Sequence, residues 1–269
     1  MSFDFGPIMD ANIAPSTISF LKIANPAAPV LFGSGTLVKC RNLRGILTCG
    51  HVFEAVATQN EIGILLYPVV STTRQQFKID VPEFVSDSII FSATPKSADG
   101  PDLAFIPLPD QHAENLASLG TFVDLDIGKT RAFTSVPVDE ECFEAVSGAI
   151  QDLTPPLRIE DKKAVQEISG LMNVGNVIST VTLNGFDIVT FQPNPGPNFK
   201  LPASYGGTSG GGIWRVLVKK QENGCYSHRQ NKLIGVAFWE TDLPNRKIIG
   251  HGPESIFENL LDEINRRWP

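Results

Sequence analysis

The run Gly206-Gly207-Thr208-Ser209-Gly210-Gly211-Gly212 sets five glycines around Ser209, between a Pro- and Asn-rich stretch (192–202) and an apolar run beginning at Ile213. A flexible connection between strands is one reading of such a run. The chemical reading is that glycine permits positive φ and close backbone approach, so peptide N–H groups can converge on a point beside a projecting serine oxygen. Converging donors of this kind make an oxyanion hole. A serine attacks only when a base removes its proton, so the next question is which histidine could do so. Of the four, His51 ends the apolar run Gly45-Ile46-Leu47-Thr48-Cys49-Gly50, where the chain turns and an imidazole can face a cleft. His112 and His228 lie in polar, turn-like sequence and read as solvated surface. His251, between Gly250 and Gly252, reads as a cap at the entry to the last helix. A base of this type is oriented by a buried carboxylate that fixes its tautomer and stabilises the imidazolium. Asp102 opens the apolar run Leu103-Ala104-Phe105-Ile106 and is placed for burial, with Asp99 as the fallback; the plain alternative is an Asp that ends a turn.

These residues need elements to hold them. The chain has 269 residues, 42% hydrophobic and 19% charged, which excludes a disordered or fibrous protein. Its 23 glycines and 20 prolines favour many short strands and turns over long helices. A net charge of −7 gives no basic footprint, so neither nucleic acid nor an anionic membrane is an expected partner. Residues 1–24 carry two Asp before the first Lys and no long apolar run, and no later stretch is long enough to span a bilayer. A soluble protein of the cytoplasm is therefore expected. Cys40, Cys49, Cys142 and Cys225 are too sparse for a disulfide scaffold and form no C-x-x-C pair, so reduced thiols and no metal site are expected.

Strand-like runs dominate the first half, at 17–23, 30–40, 45–49, 62–70, 76–81, 88–92 and 103–108. A second group follows at 122–125, 130–136, 177–183, 187–192, 212–218 and 233–239, while the Pro-containing stretch 139–161 reads as a loop or insertion. Two successive β units result, divided near 111–120, so that residues 1–115 carry His51 and Asp102 and residues 116–269 carry Ser209. From Pro253 the apolar residues Ile256, Phe257, Leu260, Leu261, Ile264 and Trp268 recur at helical spacing, with acids early and Arg266 and Arg267 late. An amphipathic C-terminal helix is expected there.

Five landmarks in order, Gly33-Ser34-Gly35-Thr36-Leu37-Val38, Leu47-Thr48-Cys49-Gly50-His51, Asp102-Leu103-Ala104-Phe105, Gly207-Thr208-Ser209-Gly210-Gly211 and Gly235-Val236-Ala237-Phe238-Trp239, resemble those of chymotrypsin-fold, trypsin-like serine proteases. The resemblance covers about Phe32 to Trp239. It implies an all-β fold of two six-stranded antiparallel barrels with a closing C-terminal helix, and a serine endopeptidase working through an acyl-enzyme with no cofactor. It further implies His51 as general base, Asp102 as its orienting carboxylate, Ser209 as nucleophile, and the N–H groups of Gly207 and Ser209 as oxyanion hole. Ala203, with Ser204 beside it, would floor the side-chain pocket and favour small to medium uncharged groups. Phe238-Trp239-Glu240 would pair with the substrate backbone as an added strand.

Departures from the family pattern carry information too. Thr208 stands where secreted members have an Asp that pairs with a freed N-terminus, and the cysteines flanking the histidine are missing. Both point to the intracellular, HtrA-type branch and away from activation by propeptide cleavage. Phe238 replaces a usual Ser that helps hold the Asp, and Glu240 replaces a usual Gly at the pocket edge. Two rivals follow. Gly207-x-Ser209-x-Gly211 also fits the nucleophile elbow of α/β-hydrolases, with Asp242 and His251 as partners, but a β-rich run follows the serine where that fold needs a helix. The other rival is a binding or scaffold protein on the protease fold, catalytically silent or switched on only by a partner. If it is a protease, restraint by a regulatory protein partner or by a misaligned oxyanion loop around 206–209 is expected.

Overall fold

The computed structural model describes residues 5–23, 30–67, 76–94, 96–130, 140–154, 158–160, 163–165, 170–194, 201–222, 224–242 and 245–269. The chain is mostly β, in two main sheets joined through a shared apolar layer.

The first sheet takes eight strands: β1 (Thr17–Lys22), β2 (Val30–Cys40), β3 (Leu43–Thr48), β4 (Glu61–Leu66), β5 (Gln76–Asp80), β6 (Ile89–Ser92), β7 (Asp102–Pro107) and the two-residue β8 (Val123–Asp124). Their order is β5-β4-β1-β2-β3-β7-β6, antiparallel throughout, with β8 added in parallel against β2. This differs from the expected six-stranded barrel: the sheet has eight strands, its seven-strand path has two open ends among the described residues, and β8 comes from the connection to the second sheet. β7 is buried at all six positions, as its unbroken apolar run requires of a strand covered on both faces.

The second sheet contains β9 (Glu140–Ala149), β12 (Gly170–Leu183), β13 (Phe186–Pro193), β14 (Gly212–Lys220), β15 (Tyr226–Glu240) and β16 (Ile248–His251), and closes in the order β12-β13-β16-β15-β14-β9. The short hairpin of β10 (Arg158–Glu160) and β11 (Lys163–Val165) stands apart. The stretch 139–161 is thus not simply a loop: its first part is β9, which pairs with both β12 and β14 and completes the ring. Phe143–Ile150 is buried without a break, but its small residues and neighbouring prolines hide the strand pattern in the sequence. The strand expected at 130–136 and the end of the one expected at 62–70 lie outside the described residues.

Short helices fill the turns: α1 (Gly6–Asn12), α2 (Gly50–Ala57), α3 (Pro82–Val85), α4 (Asp110–Ala117) and α5 (Leu125–Thr130). The C-terminal helix forms as its periodicity requires, although Ser255–Leu260 winds as π-helix before the α-helical turns of α6 (Leu261–Arg267). Its first N–H groups are capped from a distance, since Asp187 accepts from Glu254 and Ser255. Ile256, Phe257, Leu260, Leu261 and Ile264 pack with Val38, Leu47, Leu103 and Phe105 of the first sheet and Ala145, Trp214 and Val216 of the second. That common layer fixes the two sheets against each other. Among the described residues no helix is long and apolar enough to cross a membrane.

Candidate active site

His51 lies in the first turn of α2, immediately after β3, and Asp102 is the first residue of β7. β3 and β7 are neighbours in the first sheet, which brings the end of one beside the start of the other. The Asp102 carboxylate uses both oxygens on one residue: Oδ1 accepts the His51 main-chain N–H at 2.8 Å, and Oδ2 accepts from His51 Nδ1 at 2.6 Å. The first bond satisfies an N–H that a helix start leaves without a partner. A Cβ on Gly50 would come within 2.7 Å of Asp102 Oδ1, so glycine is what lets the carboxylate approach.

Asp102 is buried, and His51 is about one-third exposed. Burial opposes ionisation of Asp102, but the hydrogen bonds from His51 and the Lys96 ammonium 3.9 Å away outweigh it and hold the acid below the usual carboxylate range. With Nδ1 committed to Asp102, Nε2 is left with no oxygen or nitrogen partner among the described residues.

Cys49 packs beneath the ring. Its sulfur is 3.6 Å from Nδ1 and 3.7 Å from Nε2, nearly equidistant from two atoms that flank Cε1. An in-plane sulfur would collide with Cε1, so it stands over the ring face. Cys49, His51 and Asp102 offer donor atoms within 4.8 Å of one another, yet the imidazole lone pairs lie in the ring plane and Nδ1 is engaged by Asp102, so these donors do not converge on one point. The thiol is fully buried and its pKa is pushed well up by burial and by the Asp102 charge, which keeps it protonated and unreactive.

Ser209 reaches this place from the second sheet. Its carbonyl accepts the Ser34 N–H at 2.8 Å, and the Ser34 carbonyl accepts the Thr48 hydroxyl at 2.8 Å, three residues before His51. Gly210, with φ +87°, sits so close that a Cβ would be 2.0 Å from the Ser34 carbonyl oxygen. The serine is thereby anchored to the strand next to the one that delivers the histidine. The hydroxyl of Ser209 is not hydrogen-bonded to the imidazole in this structure. An unliganded nucleophile–base contact is often long and tightens only around substrate.

The loop before Ser209 is pinned through its carbonyls. Gly206 O accepts from Gln151 N at 2.9 Å, Gly207 O from the Ser34 hydroxyl at 2.7 Å, and Thr208 O from Gly211 N at 2.8 Å. Because a trans peptide points its N–H opposite to its C=O, the bonds to Gly206 O and Thr208 O also orient the N–H groups of Gly207 and Ser209. Neither N–H has a protein acceptor among the described residues. The Thr208 side chain turns inward, its hydroxyl 3.4 Å from the Ala149 carbonyl.

Of the residues expected to line the pocket, Ser204 is tied directly to Glu240, and its neighbour Tyr205 joins it. The Glu240 carboxylate accepts from the Ser204 hydroxyl (2.9 Å), the Tyr205 N–H (2.6 Å) and Arg246 Nη1 (2.7 Å). Strand β15 is thus tied to the loop that leads to Ser209. Burial, the Glu240 charge and a smaller opposing effect of Arg246 push the Tyr205 hydroxyl up to about 12. Ala203 is exposed, with its N–H on Asp152, and Trp239, next to Glu240 in sequence, is 42% exposed. Phe238 faces the other way, fully buried with its ring 4.8 Å from that of His251.

Two readings change. His251 is not a helix cap: it is fully buried at the end of β16, where Nε2 accepts the Asp102 N–H at 2.9 Å, and the cap is Asp187. His228 is half-buried in β15, its Nε2 without a hydrogen-bond partner among the described residues, so it is not a solvated surface group. Ser34 and Lys96 belong to the site although sequence reasoning gave them no role; for Ser34 the flanking glycines were the available signal.

No family model and no curated protein matches the chain. Solved structures do match it. They include the Rv3671c protease from M. tuberculosis in its active form (14% identity, TM-score 0.43, 92% of this chain and 79% of that one). An HtrA-type protease, AlgW, with a decapeptide (15%, 0.43, 97% and 66%) and AL20, a thermostable serine protease from an extremophilic microorganism (12%, 0.44, 92% and 96%), match as well. All three are proteases. The roles assigned below rest on this chain's own residues and their geometry.

Proposed function

We propose that this chain is a serine endopeptidase of the trypsin-like kind, closer to the intracellular, HtrA-type branch, and that residues 1–115 and 116–269 are its two catalytic halves. The observation that carries this reading is the Asp102–His51 pair: a buried, ionised carboxylate holds Nδ1 at 2.6 Å and leaves Nε2 without an oxygen or nitrogen partner among the described residues. In this reading Ser209 Oγ attacks the scissile carbonyl carbon while its proton passes to His51 Nε2. The Gly207 and Ser209 N–H groups receive the oxyanion, each contributing about 3 kcal/mol to the transition state. The C–N bond then breaks, the amine leaves with the proton from Nε2, and water attacks the acyl-enzyme with His51 again as base. Every proton and electron pair moves among side chain, substrate and water, so the chemistry calls for no cofactor.

The substrate would be a protein or peptide, laid along 238–240 as an added strand, with its side chain between Ala203, Ser204 and the Glu240 edge. The compartment proposed is the cytoplasm, with a regulatory protein acting through the 206–209 loop. Cleavage of an unstructured protein and of a mixed peptide library by wild type, Ser209→Ala and His51→Ala tests the reading. Wild-type cleavage lost in both variants supports it; equal cleavage by Ser209→Ala and wild type overturns it.

A further inference from the structure

Behind the pair formed by His51 and Asp102 lies a second, wholly buried chain of hydrogen bonds. We propose that His251 is a positioning residue: locked in its Nδ1–H tautomer by Ser255 and Asp187, it holds the Asp102 main chain from the second sheet, so that the carboxylate meets His51 in a single orientation. This deepens the reading of the site given above and rests on it.

The direction of every bond in the chain follows from its neighbours. A carboxylate such as Asp187 only accepts, so the Ser255 hydroxyl, 2.6 Å from Asp187 Oδ1, donates to it. That leaves the Ser255 oxygen to accept, and His251 Nδ1 lies 3.3 Å from it, so the imidazole proton belongs on Nδ1. Nε2 then carries a lone pair, which is what the Asp102 N–H needs at 2.9 Å, because a main-chain N–H can only donate. The other tautomer would set two N–H groups against each other.

Water cannot substitute for any link. His251 and Ser255 have no exposed surface, and Asp102 and Asp187 are each 3% exposed. Asp187 is itself held by the Glu254 and Ser255 N–H groups, at 3.0 and 2.6 Å, while its carbonyl accepts Gly252 N–H at 2.9 Å. The imidazole is wedged between the rings of Phe238 (4.8 Å) and Phe186 (5.6 Å), and Gly100 closes over it so tightly that a Cβ would be 3.3 Å from Cε1. The ionisable groups facing it are Asp102 and Asp187. Their charges favour protonation, but burial dominates and keeps His251 neutral.

The consequence is geometric. Asp102 starts a strand of the first sheet, right after the 96–101 turn, and both its carboxylate oxygens are committed to His51. Lys96 Nζ, 3.9 Å from Oδ1, and the pairing with Ser92 hold Asp102 within the first sheet; its main-chain N–H is the handle it offers to the second, and His251 takes it.

The test combines ¹⁵N NMR of histidine-labelled protein with the rate at which a fluorophosphonate probe labels Ser209. In wild type, His251 should show protonated Nδ1 and bare Nε2, unchanged from pH 5 to 8. His251→Phe keeps a ring between the two phenylalanines but removes the acceptor. It should move the His51 ring ¹⁵N resonances and slow labelling at least tenfold with an unchanged circular dichroism spectrum. His251→Gln, which can accept from Asp102 and donate to Ser255, should recover most of the rate. If His251→Phe does not fold, Ser255→Ala, which takes the acceptor from His251 Nδ1–H and so loosens the ring's hold on Asp102, should show a loss in the same direction. A His251 that carries its proton on Nε2 or titrates near 6.5 overturns the proposal. So does a folded variant that labels at the wild-type rate with its His51 signal unmoved. A wild type that never labels defeats the peptidase reading, while the NMR arm still decides the role of His251.

Discussion

Ser34 donates its main-chain N–H to the carbonyl of Ser209 at 2.8 Å, so a residue of the first sheet holds the proposed nucleophile of the second. The Ser34 side chain repeats the connection: its hydroxyl donates to Gly207 O at 2.7 Å and accepts from Ala149 N at 2.9 Å. Ser34 is completely buried. Ser34→Ala would leave a carbonyl and an N–H unpaired in a dry place, costing roughly 1–3 kcal/mol. The same change releases the 207–208 peptide, which lies between the two peptides that carry the proposed oxyanion N–H groups, so both donors lose part of their anchoring. We expect a drop in kcat on the order of tenfold with little change in KM, as for a preorganised donor lost from the transition state. Denaturant titration and steady-state kinetics check the two effects, and an unchanged kcat would contradict the role given to Ser34.

Asp102→Asn should keep the fold and lose the chemistry. An amide fills the same volume, but its NH₂ meets His51 Nδ1 and drives the imidazole proton to Nε2, where it blocks acceptance from Ser209. A loss of about 10⁴ in kcat is the expected size. Thermal unfolding and turnover, measured on the same sample, separate the two.

Gly210 and Gly224 are both left-handed, with φ of +87° and +81°, but their surroundings differ. A Cβ on Gly210 would collide with the Ser34 carbonyl at 2.0 Å, whereas one on Gly224 meets nothing within 4 Å. Gly224→Ala should therefore cost about 1–2 kcal/mol from backbone conformation alone. Gly210→Ala should displace the Ser34–Ser209 connection and abolish activity. Melting temperatures of the two variants test the contrast, and equal effects would argue against the close approach at Gly210.

Acid should weaken the fold through His251. Burial moves its pKa from the ordinary 6.5 to about 4, so between these values the unfolded chain binds a proton that the folded one refuses. Stability is then complete above pH 6.5 and falls as pH drops towards 4, by about 3 kcal/mol in all. Asp102, held below the usual range, contributes in the same direction at still lower pH: its stabilisation is present above the ordinary carboxylate pKa and is lost as pH falls through the folded value. His251→Phe should flatten the dependence between 6.5 and 4, as read from denaturant midpoints across that range.

Much of the site could be read from the sequence because its parts are local. His51 and Asp102 each mark an end of an apolar strand, and Ser209 sits in a glycine run whose conformational demands are visible residue by residue. What could not be read depends on tertiary contacts. His251 between two glycines looks like a turn, and only the approach of β7 shows that its ring meets Asp102. β9 was hidden because small residues at Ala145, Ser147 and Gly148 blur its alternation, although the closed ring needs that strand. α2 and α4 are eight residues each, too short for periodicity to separate them from turns. The partnership of Glu240 with Ser204, Tyr205 and Arg246 spans up to 36 residues and has no local signature.

The central claim is that Ser209 becomes a nucleophile through His51. Intact-mass and peptide-level mass spectrometry after exposure to a fluorophosphonate test it directly. A single adduct on Ser209 in wild type, absent from Ser209→Ala and at least a hundredfold slower in His51→Ala, is the predicted result. No adduct on folded wild type, or one that forms equally fast without His51, would contradict the account.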